Sequence, residues 1–335
     1  MKLMENSTNI LTAMEAKKNS PYSPPSFSAH ACAKAIIIGE HAVVYGARAV
    51  AMPLRSLKLH LTATRPENKI DKASEKHEII LNDKKAPYAV ANAVKKACKL
   101  LNIIPKPILI KGTSQLVLGA GLGSSAALSI AILRVVSGLF EKRLDKNQLS
   151  AYGNMLEEEF HGKPSGLDVA VVSHEEVIQF SKTAGATAID IVPPQEYDDS
   201  SPWRFVLIDS GERSSTKKMV ELAAPYFSGA KGLTKIQKFD ELGQNAVTAL
   251  QHGSFDLLSH AMNTSATMLD EAGIVTQKLR EIIDFTKKTG CSAAKPTGAG
   301  GGGFALCLLP STGWQETLNV LNKKFYSHNI YEAFL

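Results

Sequence analysis

Two α+β domains are predicted for this chain, and three observations carry the prediction. Strand and helix patterns follow one another on an irregular schedule through the first half. A polar, proline-bearing stretch, "PPQEYDDSSP", interrupts them near 194 to 202. Beyond it, helical patterns from Ser214 to about Lys288 give way to two strands around a glycine turn. At 335 residues the chain is long for one core and comfortable for two. The predicted units are a leader over 1–26, a first domain over 27–196 and a second over 197–335.

Taken in order, the opening "MKLMENSTNILTAMEAKKNSPYSPPSFS" lacks the continuous apolar segment of a secretory signal, and Pro21, Pro24 and Pro25 mark its end. "AKAIIIGE" is a short apolar strand bounded by Gly39, and "AVAMPLRSLKLHLTAT" alternates in its second half as a half-buried strand does. "APYAVANAVKKACKLLN" has helical spacing, and the strand candidate "KPILIKGT" leads to "VLGAGLGSSAALSIAILRVVSGLF", where glycines precede a long apolar helix broken by Arg134. "DKNQLSAYGNMLEEEFHG" is an amphipathic helix with Asp145 as N-cap and Gly162 as stop. "WRFVLIDS" opens the second domain as a strand, and "CSAAKPTGAGGGGFALCLL" reads as strand, glycine turn and strand, with a helix after Gly313.

A hydrophobic fraction of 44% and a charged fraction of 21% describe a globular chain. The net charge of +6 is spread out, so it argues little for a polyanionic partner such as nucleic acid, and a small anionic substrate accounts for it as well. Cys32, Cys98, Cys291 and Cys307 form no C-x-x-C pair and have no histidines at zinc-site spacing, so they read as reduced thiols in a cytoplasmic protein. No apolar run has membrane-spanning length.

Four islands can carry chemistry. In "KAIIIGEHAVVYG", Lys34 starts an apolar strand, and Glu40 and His41 stand just past its end, where side chains can turn into a cleft; taken alone, Lys34 reads more readily as a surface lysine and His41 as a solvated turn residue. In the second island, glycines precede a helix, where unpaired N–H donors and the positive end of the dipole suit a phosphate. A tight turn with serines capping the helix is the alternative. No Walker sequence occurs, yet a serine hydroxyl there could ligate Mg²⁺. The loop also partly mimics a dinucleotide fingerprint, with Glu141 downstream, but no second parallel strand delivers that acid. In "EEEFHGKPSGLDVAVV", the turn formers between Glu157 and Asp168 can bring two carboxylates together, one for a metal and one for a reacting hydroxyl; Glu158 and Glu159 read as a solvated face. In "KPTGAGGGGF" the glycines, Gly298, Gly300 and Gly301 among them, suggest backbone amides approaching a ligand or, alternatively, a flexible loop.

In this order the islands resemble the motifs of the GHMP small-molecule kinases, over residues from about 28 to the end. "GEHAVVYG" together with "HGKPSGLD" is similar to the mevalonate-phosphorylating branch of that family. The resemblance implies a ribosomal-protein S5 domain 2-like first domain, a ferredoxin-like second domain and an active site between them. It implies that ATP phosphates lie on Gly119, Ala120, Gly121, Leu122, Gly123, Ser124, Ser125 and Ala126, and that Ser125 and Glu157 hold Mg²⁺. Asp168 would receive or orient the proton of the substrate hydroxyl, with Lys34 beside it, while Glu40, His41 and Thr216 would line the mevalonate pocket. A homodimer is also implied. Three departures stand out: Cys32-Ala33 where the family usually has Pro-Gly, Val117-Leu118 where proline commonly precedes the glycine loop, and Ser214-Ser215 where arginine and serine are often found, with Arg213 one place earlier. Phosphomevalonate kinases and mevalonate 3-kinase-like enzymes are the rivals within the class, and Lys163 is a candidate extra cation for a substrate phosphate. A non-catalytic metabolite sensor and a dehydrogenase are the rivals outside it.

Overall fold

The computed structural model describes residues 25–65, 77–104, 107–117, 119–161, 164–183, 186–195 and 203–335. Strand β1 (Ser26–Ile38) pairs antiparallel with β2 (Ala49–Thr64) along nearly its whole length. The sheet continues through β3 (Glu78–Leu81), β4 (Lys84–Lys85), β5 (Leu109–Ser114), β6 (Ile178–Thr183) and β7 (Ala186–Ile191). Its order is β4-β3-β5-β2-β6-β7, with β1 also on β2 and only β3 and β5 parallel. Helices α1 (Tyr88–Leu100), α2 (Ser124–Leu139), α3 (Lys146–His161) and α4 (Leu167–His174) complete the first half.

β2 shows why the alternation is legible only in part. From Leu57 onward buried positions alternate with more exposed ones, whereas Ala49 to Leu54 are all buried. That first stretch and the end of β1 lie between α2 and α4 on one side and elements of the second half on the other, so both faces are apolar. In α3, Asp145 and Gln148 exchange side-chain-to-backbone bonds, 2.8 Å to the Gln148 N–H and 3.0 Å from the Asp145 N–H, which closes a capping box at the predicted start. Arg134, half-buried along the apolar α2, is satisfied by Glu175 at 2.6 Å and by the His30 carbonyl at 2.7 Å.

The second half runs β8 (Arg204–Asp209), α5 (Thr216–Ala223), α6 (Gly229–His252), α7 (Phe255–Glu271), α8 (Gln277–Lys288), β9 (Ala293–Thr297), β10 (Phe304–Leu308), α9 (Trp314–Lys324) and β11 (Ile330–Phe334). Its sheet is antiparallel throughout, in the order β11-β8-β10-β9. That is the ferredoxin-like order, fourth-first-third-second, with α5 to α8 filling the first crossover. One hydrophobic cluster runs from Ala31 to Ala333, so the two halves share a continuous core.

The strands at 78–85 and the hairpin at 178–191 have no counterpart in the sequence reading. β4 is two exposed lysines, and β7 is exposed at most positions, so neither shows a buried face. β1 begins at Ser26, one residue inside the predicted leader, and the Pro25 carbonyl already accepts the Arg65 N–H. Residues 1–24 and the predicted domain boundary at 196/197 lie outside the described residues.

Where the halves meet, Arg48 bonds Asp240 through its backbone N–H at 2.9 Å and its guanidinium at 3.0 and 3.2 Å. Gly243 faces this clasp, and a Cβ there would lie 2.4 Å from Arg48 Cγ and 3.0 Å from the Arg48 carbonyl oxygen. Helix propensity favours alanine over glycine by about 1 kcal/mol, but overpacking against a backbone atom costs about 1–3 kcal/mol. Gly243→Ala is therefore expected to lower the urea midpoint of unfolding. A midpoint raised by the full propensity gain would show that α6 has room to spare.

Candidate active site

The site forms where β1 meets the start of α2. Lys34 stands opposite Pro53, which has no N–H to give to the ladder, and beside a register shift between Cys32 and Ala33. Its backbone N–H donates to the Leu122 carbonyl at 3.0 Å, so the strand is tied to the glycine loop. Gly123 makes the approach possible: its φ is +69°, and a Cβ would fall 2.9 Å from Lys34 Cγ and 3.5 Å from Asp168 Oδ2. The Lys34 ammonium, 2% exposed, lies 3.0 Å from the Asp168 carboxylate, which is 35% exposed.

No side chain caps α2 at Gly123, so the serines do not serve as a cap. The N–H groups of the first turn remain donors at the positive end of a 16-residue helix. Gly119, at φ +68°, has no protein atom within 4 Å of where a Cβ would be, an open cradle on the approach to those donors. The loop and helix start thus fit the oxygens of a phosphate chain.

The Ser125 hydroxyl donates to Glu157 Oε2 at 2.8 Å, and Ser129 donates to Oε1 at 2.8 Å. Glu157 falls on the buried face of α3, which comes close because a Cβ on Gly153 would sit 2.6 Å from Ile130 Cδ1. Burial pushes the Glu157 carboxyl up to about 7, Asp168 adds to the rise, and the two hydroxyls and Lys34 oppose it. A buried carboxylate so destabilised, beside a serine oxygen, is what a hard cation would relieve. Among the described residues no cluster of three or more acidic, histidine or cysteine side chains could hold a metal alone. A cation at Ser125 and Glu157 therefore needs phosphate oxygens or water to complete its shell. His161 Nε2 lies 2.9 Å from Ser125 Oγ, and because the serine proton goes to Glu157, the imidazole N–H is the donor. Glu158 and Glu159 are paired with Lys96 at the surface, at 2.8 and 3.5 Å.

The glycine run between β9 and β10 backs this loop. A Cβ on Gly298 would lie 2.7 Å from Gly121 Cα, and one on Gly303 2.7 Å from the Ala120 carbonyl oxygen. Gly300 faces Ile274, Gly301 faces Met219 and Ser214, and the Gly301 N–H is spent on the Ile274 carbonyl at 2.7 Å. The sequence reading put ligand-facing amides at Gly298, Gly300 and Gly301; a Cβ at each would meet the protein's own chain, and the Gly301 N–H is already bonded within it.

Glu40 and His41 face the same run. His41 Nε2 bonds the Ala299 carbonyl at 2.8 Å, and burial holds its pKa below the usual histidine range against that bond. Glu40 is paired with Lys295, a residue the sequence reading did not single out. Thr216 is exposed at the first turn of α5, after a loop anchored to the glycines by Ser214 Oγ donating to the Gly300 carbonyl at 2.6 Å. Arg213 grips Asp209 with bonds of 2.8 and 2.7 Å. Burial works to raise Asp209, but Arg213, the Gly211 N–H and Asn329 outweigh it and hold the carboxyl below its usual range. Ser129 and His161 were also missed, although each stands four residues from a candidate on one helix face.

The model of the GHMP kinases N terminal domain matches residues 87–176, and that of the GHMP kinases C terminal matches residues 246–326. A mevalonate kinase of Pyrococcus furiosus is 30% identical over 306 residues, covering 84% of this chain and 89% of its own. The mevalonate kinase of Methanocaldococcus jannaschii is 28% identical over 320 residues, covering 87% and 94%. The chain belongs to the GHMP kinases. The fold agrees: the crystal structure of L. major mevalonate kinase in complex with R-mevalonate superposes with a TM-score of 0.78 at 21% identity, over 92% of this chain and 97% of that one. In this GHMP kinase the first matched segment contains the glycine loop before α2, Ser125, Glu157 and Asp168, and the second contains the glycine run.

The raised carboxyl makes stability depend on pH. An acid whose folded pKa exceeds its unfolded value of 4.5 leaves folding unpenalised below 4.5, and stability is lost as pH rises through about 7. By linkage the full penalty is about 3 kcal/mol when no cation is bound. In nucleotide-free protein with EDTA, Glu157→Gln is expected to be more stable than the parent at pH 8, with the gap closing towards pH 5. Urea titrations at the two values measure it.

Proposed function

We propose that this GHMP kinase transfers the γ-phosphoryl group of ATP to the C5 hydroxyl of mevalonate, giving 5-phosphomevalonate on the route to isoprenoids. The observation that carries the reading is the Lys34–Asp168 pair, 3.0 Å apart and directly beside the uncapped start of α2. The mevalonate kinases it resembles cover most of its length and supply the substrate.

ATP phosphates lie along Gly119 to Ala126, held by loop amides and the first turn of α2. Ser125 and Glu157 hold Mg²⁺ through oxygen. The bound ion supplies charge neutralisation at the phosphates. Asp168 accepts or orients the proton of the attacking hydroxyl, and Lys34 steadies the carboxylate and the developing alkoxide. Little covalent help is needed, because phosphoryl transfer depends chiefly on positioning and electrostatics.

Lys34, Lys295 and Arg213 are each committed to a carboxylate, which favours an acceptor without a phosphate of its own over phosphomevalonate. Lys163, the sequence candidate for such a contact, lies outside the described residues. A complete phosphoryl-transfer set argues against a sensor. The four cysteines are free and buried, in keeping with a cytoplasmic enzyme, and no helix among the described residues is long and apolar enough to cross a membrane. We assign a homodimer on family resemblance.

Asp168→Asn keeps an acceptor for the buried Lys34 while removing the charge, and it is expected to lower kcat about 100-fold or more with the ATP KM little changed. ADP release with mevalonate, phosphomevalonate, galactose and homoserine, with product mass, measures both points. Near-parental turnover by Asp168→Asn would remove the residue from proton handling. Preference for another acceptor would move the substrate assignment.

A further inference from the structure

Lys295 stands at the centre of β9, in the second half, and is 0% exposed; Glu40, from the turn after β1, is 1% exposed. Their side chains form an ion pair that joins the two halves of the molecule. An ammonium has three protons, and here each has an acceptor: Glu40 Oε1, the Pro296 carbonyl at 2.7 Å and the Ile36 carbonyl at 3.4 Å. Nothing remains on Lys295 for a ligand. Glu40 is different, because its Oε2 is buried and has no hydrogen-bond partner.

The same strand already clamps the same turn without charges. Thr297 Oγ1 accepts the Ile36 N–H at 2.9 Å and donates to the Ile36 carbonyl at 3.1 Å, and His41 bonds Ala299. A buried ion pair adds little to such a clamp, since apolar residues of similar volume commonly serve as well or better. A buried carboxylate oxygen left without a donor is costly unless a donor arrives. The charged groups acting on Glu40 are Lys295 from β9 and, more weakly, Lys34 from β1. Lys34 is held by Asp168, the residue assigned to the acceptor hydroxyl.

We propose that Lys295 is a positioning residue for the acceptor substrate: by occupying Glu40 Oε1 it orients Glu40 so that Oε2 is presented to a hydroxyl of the acceptor. This rests on the kinase reading above and adds to it a residue from the second half. Burial drives Glu40 upward and Lys295 downward from their usual ranges, and each opposes the shift in the other. With Lys295 gone, Glu40 would hold its proton to higher pH and lose its orientation.

The test compares the parent, Lys295→Met and the double variant Glu40→Gln/Lys295→Met, with Tm and full kinetics for mevalonate and ATP at pH 6.5 and 8.5. Parental turnover of mevalonate is measured first; its absence would overturn the kinase reading rather than the role of Lys295 within it. Lys295→Met is expected to raise the mevalonate KM about tenfold or more, more strongly at pH 6.5, with the ATP KM within about twofold, since a hydrogen bond to a charged group is being lost. The double variant is expected to recover Tm, having lost both charges, and still to show the raised mevalonate KM. A double variant with parental mevalonate KM would overturn the proposal. So would one that fails to fold, because the pair would then be a requirement of the structure. A loss in Lys295→Met shared equally by both substrates would overturn it as well.

Discussion

The backbones of Gly121 and Gly298 touch, and that contact sets the distance between the two halves of the site. A Cβ on Gly298 would fall 2.7 Å from both the Cα and the carbonyl oxygen of Gly121, and one on Gly121 would lie 3.1 Å from the Thr297 carbonyl. Both residues have positive φ, so the approach needs glycine for conformation as well as for space. Because β9 leads into Gly298, the contact also fixes Thr297 and Lys295 against the end of β1. Because Gly121 leads into Gly123, it fixes the start of α2 over Lys34 and Asp168.

Around that contact, buried charge is managed in three ways. Asp209 is fully partnered, by Arg213, Gly211 and Asn329, and its carboxyl is held below the usual range. It stabilises the loop before α5. Glu40 is half partnered, with one oxygen on Lys295 and the other without a donor. Glu157 accepts only neutral hydroxyls and is pushed up to about 7 by burial. The departures from full compensation lie beside the glycine loop before α2 and at the end of β1, and native chains commonly give up local stability at a site.

Much of the fold was legible because its elements bury one face or end on strong signals. α1, α3 with its Asp145 cap, β5, β8 and the pair β9–β10 all fall where periodicity and turn residues put them. The hairpin of β6 and β7 was not, because β7 is mostly exposed and has no buried face to give it a period. In the site, Glu157 could be separated from Glu158 and Glu159 only as the end of a helix; the structure adds that the buried face of α3 passes through it. Lys295 left no signal at all. Its partner lies 255 positions away, and a lysine beside a glycine run reads as solvated until the sheet of the second half is laid against β1.

On the reading proposed above, the two half-sites differ in how their charges are balanced. The proposed acceptor side has its charges paired, with Lys34 on Asp168 and Lys295 on Glu40, and it offers shape, the partly exposed Asp168 carboxylate and the buried, unpartnered Oε2 of Glu40. The proposed phosphate side is different: the start of α2 presents N–H donors that no side chain caps, and burial pushes the Glu157 carboxyl up to about 7. A polyphosphate and its metal answer both at once, and neither alone does so, because a free anion adds repulsion at Glu157 and a free cation meets the positive end of the helix. On the same reading, this arrangement suits a metal–nucleotide complex better than either component. Since Lys34 is tied to Leu122 and Gly123 packs on its side chain, the proposed acceptor half is built on the same backbone as the proposed phosphate half, so a shift in one is carried to the other.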